Sequence, residues 1–119
     1  MKILVVEDDE ALLKYIEYWL LKDGYKIITS STGYEALKLI ESEKFDLIIS
    51  DISMPSLSGL ELLSYLKNKI DSKIPVILIS ALDQQSVIMT AIKLGASDFL
   101  VKPINYDELL IRVKRFLEV

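Results

Sequence analysis

Residues 46–55 read DLIISDISMP, and this stretch decides the fold of the chain. The unbroken apolar run at residues 47–49, set between two aspartates, is typical of a strand that is buried on both faces of a parallel sheet. The second aspartate, Asp51, would then lie at the carboxyl end of that strand. Ligands bind at the carboxyl ends of the strands in open parallel sheets, so Asp51 is the first candidate functional residue.

The same pattern recurs on both sides of this strand. Short apolar runs predict further strands over residues 3–6, 26–30, 76–79 and 99–101. A segment with helical spacing of apolar residues follows each of the five strands. This alternation predicts an α/β fold with a doubly wound, five-stranded parallel sheet of the flavodoxin-like (βα)5 type. We expect the strand order 2-1-3-4-5, with helices on both faces.

Helix starts and inward faces can also be read from the sequence. Thr32 with Glu35 and Ser58 with Glu61 have the spacing of a capping box, and Asp83 is the expected cap of the fourth helix. The residues expected to face the core are Leu12, Tyr15, Ile16, Trp19, Leu20, Ala36, Leu37, Ile40, Leu60, Leu63, Leu66, Ile70, Val87, Ala91, Ile92, Leu94, Leu109, Val113, Phe116 and Leu117.

Length and composition exclude several classes of protein. We expect 119 residues to form a single domain over 1–119. A net charge of −4 argues against nucleic-acid binding by this domain alone. The chain has neither cysteine nor histidine, so thiolate zinc sites, cysteine nucleophiles and histidine general bases are excluded. No apolar run has the length of a membrane span, and we expect a soluble cytoplasmic protein without a membrane partner.

Polar residues stand where the predicted strands end. Glu7 and Asp8 follow the first strand, Asp51 the third, Ser80 the fourth and Lys102 the fifth. In the predicted strand order the first and third strands are neighbours, so three carboxylates converge and repel one another unless a cation neutralises them. A hard divalent ion with oxygen ligands, Mg²⁺ above all, suits this set.

Together these groups predict phosphoryl transfer onto a carboxylate. Asp51 would be the nucleophile, while Mg²⁺ and the Lys102 ammonium would neutralise charge on the phosphoryl group. The Ser80 hydroxyl would hydrogen-bond the product. No general base is needed, because an aspartate is ionised at neutral pH.

Four segments carry a resemblance to a known family. They are ILVVEDDE at residues 3–10, DLIISDISMPSLSG at 46–59, VILISA at 76–81 and GASDFLVKP at 95–103. In this order and spacing they resemble the receiver (CheY-like) domain of bacterial two-component response regulators, over the whole chain. The resemblance implies a phosphoacceptor signalling domain rather than an ordinary enzyme, with only self-catalysed phosphotransfer and dephosphorylation.

The resemblance also implies residue roles. Glu7, Asp8, Asp51 and the backbone carbonyl of Ser53 would bind Mg²⁺. Asp51 would become 4-aspartylphosphate by accepting the phosphoryl group of a phosphohistidine on a sensor histidine kinase or phosphotransfer protein. Lys102 would reach the site next to a cis bond to Pro103.

The switch is implied in the same way. Ser80 and Phe99 would form the switch pair, standing where threonine and tyrosine are commoner. Ser53 and Leu82 stand at variable positions that influence the lifetime of the phosphoryl group.

The fourth helix, fifth strand and fifth helix would form the output face, for a downstream effector, an output domain or a second copy. Resemblance to the charged network through which receivers of winged-helix transcription factors dimerise extends to Asp98, Glu108, Arg112 and Arg115. Ile88 stands where that network has a basic residue and Ser97 where it has an acid, so the expectation is a monomer or a phosphorylation-dependent homodimer. The apolar residues Met89, Ile92 and Leu110 are either a docking patch or core.

Structural interpretations of the same residues stay open. Glu7, Asp8 and Asp9 could favour a helix N-terminus, with Asp9 as the cap, and Phe99 could be a core aromatic. Two other functions also fit: a Mg²⁺-dependent phosphatase with an aspartate nucleophile, and a receiver-like interaction module that is never phosphorylated. The phosphatase is disfavoured because such enzymes have a D-x-D pattern, and Ser53 stands two residues after Asp51.

Overall fold

Five parallel strands form one sheet in the order β2-β1-β3-β4-β5 in the computed structural model, which describes residues 1–71, 73–81 and 85–118 except the side chain of Gln85. The strands are β1 (Lys2–Val6), β2 (Lys26–Ser30), β3 (Leu47–Asp51), β4 (Val76–Ser80) and β5 (Asp98–Val101). The helices are α1 (Glu10–Lys22), α2 (Gly33–Ser42), α3 (Gly59–Tyr65), α4 (Gln85–Leu94) and α5 (Tyr106–Leu117), with a π-helical turn (Leu66–Ile70) after α3. The predicted fold class and strand order are confirmed.

Each face of the sheet has its own apolar layer. Alternate strand residues, such as Val5, Ile49 and Ile77, pack against α1 and α5. The intervening residues, such as Ile48 and Leu78, pack against α2, α3 and α4. Because both faces are covered, the central strands are apolar up to their polar carboxyl ends, which explains the unbroken apolar runs in the sequence.

Side-chain caps fix where the helices begin. Asp9 caps α1 by accepting hydrogen bonds from the N–H groups of Ala11 and Leu12, at 3.0 and 3.2 Å. Ser58 and Glu61 form both bonds of the predicted capping box of α3. Thr32 caps α2 by accepting a hydrogen bond from the N–H of Glu35, one of the two bonds of the predicted capping box, and Asn105 caps α5. The predicted cap of α4, Asp83, lies outside the described residues, as does Leu82.

Four residues that were predicted to face the core are exposed: Tyr15, Ile70, Ile92 and Leu94. Helix α1 packs through the buried stripe of Leu13, Ile16 and Leu20. Tyr15 lies outside this stripe and is 37% exposed. In α4, Ile88 is buried, whereas Ile92 and Leu94 are 51% and 36% exposed. In both helices the tertiary packing selects a stripe that is displaced from the one expected.

The π-helical turn after α3 explains why Ile70 is exposed. The N–H of Asp71 donates to the carbonyl of Leu66 at 2.9 Å, a bond that spans five residues and places one extra residue in the turn. Leu62 and Leu66 stay buried, but Ile70 leaves the inward face of α3 and is 40% exposed. Among the described residues, no helix combines the length and the apolar character needed to span a membrane.

Leu62 and Ile70 give a direct test of this packing. We expect Leu62→Ala to lower the free energy of unfolding by about 2–5 kcal/mol, because it leaves a cavity between α3 and the sheet. Ile70→Ala, the matched control, should change it by less than about 1 kcal/mol, because its side chain is exposed. Urea denaturation followed by circular dichroism measures both. Equal losses would contradict the assignment of Ile70 to the surface.

Candidate functional site

Strand alternation brings the polar residues at the strand ends to one side of the sheet. Ile49 in β3 packs toward α1 and α5, as does Leu100 in β5. Because successive side chains alternate between faces, residues two positions further on return to the same side. Asp51 and Lys102 stand at those positions, and Glu7 stands two residues after Val5 in β1. Three ionisable side chains from three strands therefore meet at the carboxyl edge of the sheet.

The acidic residues form a compact cluster. One carboxylate oxygen each from Glu7, Asp8 and Asp51 lies within 4.8 Å of the others. Glu7 is fully buried and Asp51 is 2% exposed, whereas Asp8 is open to solvent. The three carboxylates therefore converge in the structure, as the sequence predicted.

Lys102 is the cation of the cluster. Its Nζ lies 2.6 Å from Oδ2 of Asp51 and 3.5 Å from Oε1 of Glu7. The backbone N–H of Lys102 donates to the carbonyl of Ser80 at 2.9 Å, which ties the residue to the end of β4. The bond from Lys102 to Pro103 is cis, as the resemblance implied. One ammonium thus faces three carboxyl groups.

This imbalance changes the acid–base properties of the site. Burial, followed by the hydrogen bond with Asp51 and the charge of that group, raises the pKa of Glu7 from 4.5 to about 8. Burial lowers the pKa of Lys102, but its hydrogen bond to Asp51 and the charges of Asp51 and Glu7 outweigh that effect, so its pKa is raised. Both shifts in pKa act in the same sense: they favour the charged form of Lys102 and disfavour the charged form of Glu7.

The residues present fit a hard divalent cation. Oε1 of Glu7 is buried and accepts no hydrogen bond from the part of the chain that the structure describes. Oε2 of Glu7 accepts one, from the N–H of Asp9 at 3.2 Å. An oxygen-only donor set with an unsatisfied buried carboxylate oxygen is what Mg²⁺ prefers in proteins.

The Asp51 carboxylate is held in a defined orientation. The N–H of Ser53 donates to Oδ1 at 3.0 Å, and Lys102 occupies the other oxygen. Two residues that were not predicted as site residues contact the main chain of Asp51: the Ser50 hydroxyl donates to its carbonyl, and Gly59 lies against the same oxygen. A glycine at the first helical position directly after a capping serine was the available signal, because glycine disfavours helix.

Ser80 and Phe99 belong to the opposite face of the sheet. Ser80 ends β4, where the preceding residue Ile79 pairs with Asp51. The Ser80 hydroxyl is fully buried, without a hydrogen-bond partner among the described residues. Phe99 pairs with Leu78 and lines a cavity of about 210 Å³ between the sheet and α4. Ser80 thus lies one residue beyond the strand partner of Asp51, and both members of the predicted switch pair lie on the face of the sheet opposite to Asp51.

The remaining charged residues of interest lie on α5 and β5. Oδ2 of Asp98 forms ion pairs with Nε of Arg112 at 3.3 Å and with Nη1 of Arg115 at 3.2 Å. Nη1 of Arg112 also lies 3.9 Å from Oε2 of Glu108. Within one chain, therefore, Asp98 is paired with both arginines of the predicted network.

The raised pKa of Glu7 makes stability depend on pH. In the absence of divalent metal, we expect the free energy of unfolding to fall as pH rises from the ordinary value of 4.5 toward about 8. In that window the unfolded chain has lost the Glu7 proton that the folded protein retains, so raising the pH favours unfolding. Urea denaturation over this pH range in the presence of a chelator measures the dependence.

The matched variants for this measurement are Glu7→Gln and Glu10→Gln. Glu7→Gln is isosteric and cannot ionise, so it should lose this part of the pH dependence. Glu10, the control, is an exposed acid on α1, and Glu10→Gln should retain it. The same slope in Glu7→Gln as in the native chain would show that Glu7 does not titrate as described.

Comparisons with known proteins agree with this geometry. The sequence model of the family described as "Response regulator receiver domain" matches residues 3–114. The alkaline phosphatase synthesis transcriptional regulatory protein PhoP of Bacillus subtilis (strain 168) is 39% identical over 116 residues, 98% of this chain and 48% of that protein. The chain spans about half the length, or less, of the curated relatives that it matches.

Solved structures show the same likeness. The receiver domain of a Francisella response regulator has a TM-score of 0.89 and 36% identity, covering 97% of this chain and 94% of that one. The receiver domain of a Pseudomonas aeruginosa sensor histidine kinase, which has a magnesium ion coordinated in its active-site cleft, has a TM-score of 0.89 and 26% identity, covering 99% and 98%. The chain therefore belongs to the response regulator receiver domain family of two-component signalling systems.

Proposed function

We propose that residues 1–119 form one receiver domain that accepts a phosphoryl group on Asp51. The observation that carries this proposal is the pairing of a nearly fully buried carboxylate with the Lys102 ammonium at 2.6 Å, beside two further carboxyl groups. The donor is a phosphohistidine of a partner histidine kinase or phosphotransfer protein. A carboxylate oxygen of Asp51 attacks phosphorus, the P–N bond breaks, and its electron pair returns to the imidazole, giving 4-aspartylphosphate.

The residues of the chain supply positioning and charge. The Ser53 N–H and Lys102 hold the two oxygens of Asp51, so the nucleophile is oriented before the donor arrives. Lys102 remains beside the transferred group and neutralises part of its charge.

Mg²⁺ would be held by the carboxylates of Glu7, Asp8 and Asp51 and by the backbone carbonyl of Ser53, and when bound it supplies further positive charge to the phosphoryl oxygens. The fit of the oxygen donors and the magnesium ion in the related Pseudomonas aeruginosa domain support this assignment.

We propose that Ser80 and Phe99 carry the signal away from Asp51. The Ser80 hydroxyl, which has no partner among the described residues, is free to donate to a phosphoryl oxygen. The cavity beside Phe99 gives the ring room to change rotamer under α4. Phosphorylation would bias these two side chains between two arrangements and so alter the face formed by α4, β5 and α5.

The exposed residues of the face formed by α4, β5 and α5 indicate which kinds of partner it could bind. Met89 and Ile92 are 60% and 51% exposed, so α4 offers an apolar surface to a downstream effector, an output domain or a second copy. Because Asp98 pairs with Arg112 and Arg115 within the chain, we propose a monomer before phosphorylation and a homodimer, if one forms, only after it. The net charge of −4 supports a domain that does not bind nucleic acid by itself.

Phosphorylation of Asp51 can be measured by the mass of the intact protein. Incubation with acetyl phosphate and Mg²⁺ should add one phosphoryl group to the native chain and none to Asp51→Asn, which lacks the nucleophile. The matched control is Asp46→Asn, an exposed residue directly before the same strand, and it should be phosphorylated normally. Omission of Mg²⁺ should prevent the gain. Phosphorylation that persists in Asp51→Asn would contradict the assignment of Asp51 as the phosphoacceptor.

Lys102→Ala separates phosphorylation from its readout. With Mg²⁺ saturating, we expect this variant to stay folded and still to accept a phosphoryl group, because the nucleophile and the metal ligands remain, but more slowly than the native chain, because the ammonium that orients Asp51 is gone. The NMR shift of the Met89 methyl group, which should move when the native protein is phosphorylated, should stay in place in Lys102→Ala. Lys14→Ala, which removes an exposed ammonium on α1, is the control and should respond like the native chain. A normal methyl response in Lys102→Ala would argue against the role given to Lys102.

A further inference from the structure

Gly59 lies against the main chain of Asp51 more closely than any other residue type would allow. A Cβ at Gly59 would stand 2.1 Å from the Asp51 carbonyl oxygen, whereas real Cβ contacts below 3.0 Å are essentially absent from proteins. The N–H of Gly59 donates to the carbonyl of Ile52 at 2.9 Å, so the first residue of α3 is fixed to the loop that follows β3. Any side chain at this position would therefore push the Asp51 peptide by about 1 Å.

Ser50 holds the same carbonyl by a hydrogen bond. Its side chain is buried, and its hydroxyl donates to the Asp51 carbonyl oxygen at 3.0 Å. A buried hydroxyl needs a partner, and here the partner is the main chain of the candidate phosphoacceptor. Both residues thus constrain the Asp51 carbonyl oxygen. Ser50 holds it by a hydrogen bond, and Gly59 packs so closely against it that the oxygen cannot move toward α3.

We propose that Ser50 and Gly59 are positioning residues for the Asp51 carboxylate. The carboxylate is joined to this peptide through Cα and Cβ, so a shift of the peptide moves both oxygens. Lys102 comes from the end of β5 and does not follow such a shift, so the 2.6 Å contact with Oδ2 would change. This inference rests on the proposed function, because it assigns Ser50 and Gly59 to the reactivity of Asp51 rather than to stability alone.

The chain contains a matched pair of controls one repeat earlier. Ser30 ends β2, is buried, and donates its hydroxyl to the Thr32 carbonyl at 2.8 Å. Gly33 is the first residue of α2 after its capping threonine, and a Cβ there would stand 2.5 Å from the Leu57 carbonyl oxygen. Ser30→Ala and Gly33→Ala therefore remove or add the same atoms in the same type of place. Gly33→Ala presses on Leu57, in the loop between β3 and α3, and not on the Asp51 peptide itself, so this control also measures any effect that is passed along that loop.

The test compares the four variants by phosphorylation rate, by melting temperature and by the NMR shift of the Ser53 amide. Acetyl phosphate with saturating Mg²⁺ is the donor, and rates are measured well below each melting temperature. We expect Gly59→Ala to lower the rate on the order of 100-fold, as misplacement of a reacting group by about 1 Å does. Ser50→Ala should lower it roughly fivefold, the effect of one hydrogen bond. The two controls should lose melting temperature but retain the native rate.

The Ser53 amide reports on position without any phosphoryl transfer. Its N–H donates to Oδ1 of Asp51, so its NMR shift should change in Gly59→Ala and Ser50→Ala and stay constant in the two controls. If the native chain is not phosphorylated, the proposed function fails, while the Ser53 shifts still decide whether Asp51 has moved. If Gly59→Ala does not fold, Ser50→Ala decides. Rates and Ser53 shifts that match those of the controls would overturn the proposal.

Discussion

The burial of two carboxyl groups next to each other is the constraint on which the site depends. Glu7 is fully buried and Asp51 almost so, although an isolated buried charge is strongly unfavourable. Lys102 offsets part of this cost through its contacts at 2.6 and 3.5 Å, and burial beside Asp51 raises the pKa of Glu7. Both effects have one cause, an excess of buried carboxyl groups over cations.

The fold supplies that constraint because a parallel sheet gathers strand ends at one edge. Strands β1, β3 and β5 contribute Glu7, Asp51 and Lys102 to the side covered by α1 and α5. The other side holds Ser80 and Phe99 under α4. Under the proposed function this division has a consequence: the reacting groups and the responding groups occupy opposite faces, and the ends of β4 and β5 connect them.

Local signals in the sequence predicted most of the framework. Strand runs, capping residues such as Ser58 with Glu61, and the alternation of strand and helix depend on neighbouring residues, so they can be read without a structure. The inward faces of helices were less well predicted. Tyr15 and Ile92 have apolar or aromatic side chains at acceptable helical spacing, but the packing of each helix against the sheet and its neighbour, α5 for α1 and α3 for α4, decides which stripe is covered. The π-helical turn that exposes Ile70 was likewise invisible as a pattern.

The sequence by itself determined the fold class and the residue types at the carboxyl edge, because strand ends and their polar residues are encoded locally. The strand order was expected from the flavodoxin-like fold type, and the structure confirmed it. Only the tertiary structure decided how those residues differ from one another. Glu7 is buried and its pKa is raised, Asp8 is exposed, and Asp9 is a helix cap. It also decided that Ser50 and Gly59 meet the Asp51 carbonyl. Burial and close approach depend on segments that are distant in sequence, so no pattern of neighbouring residues contains them.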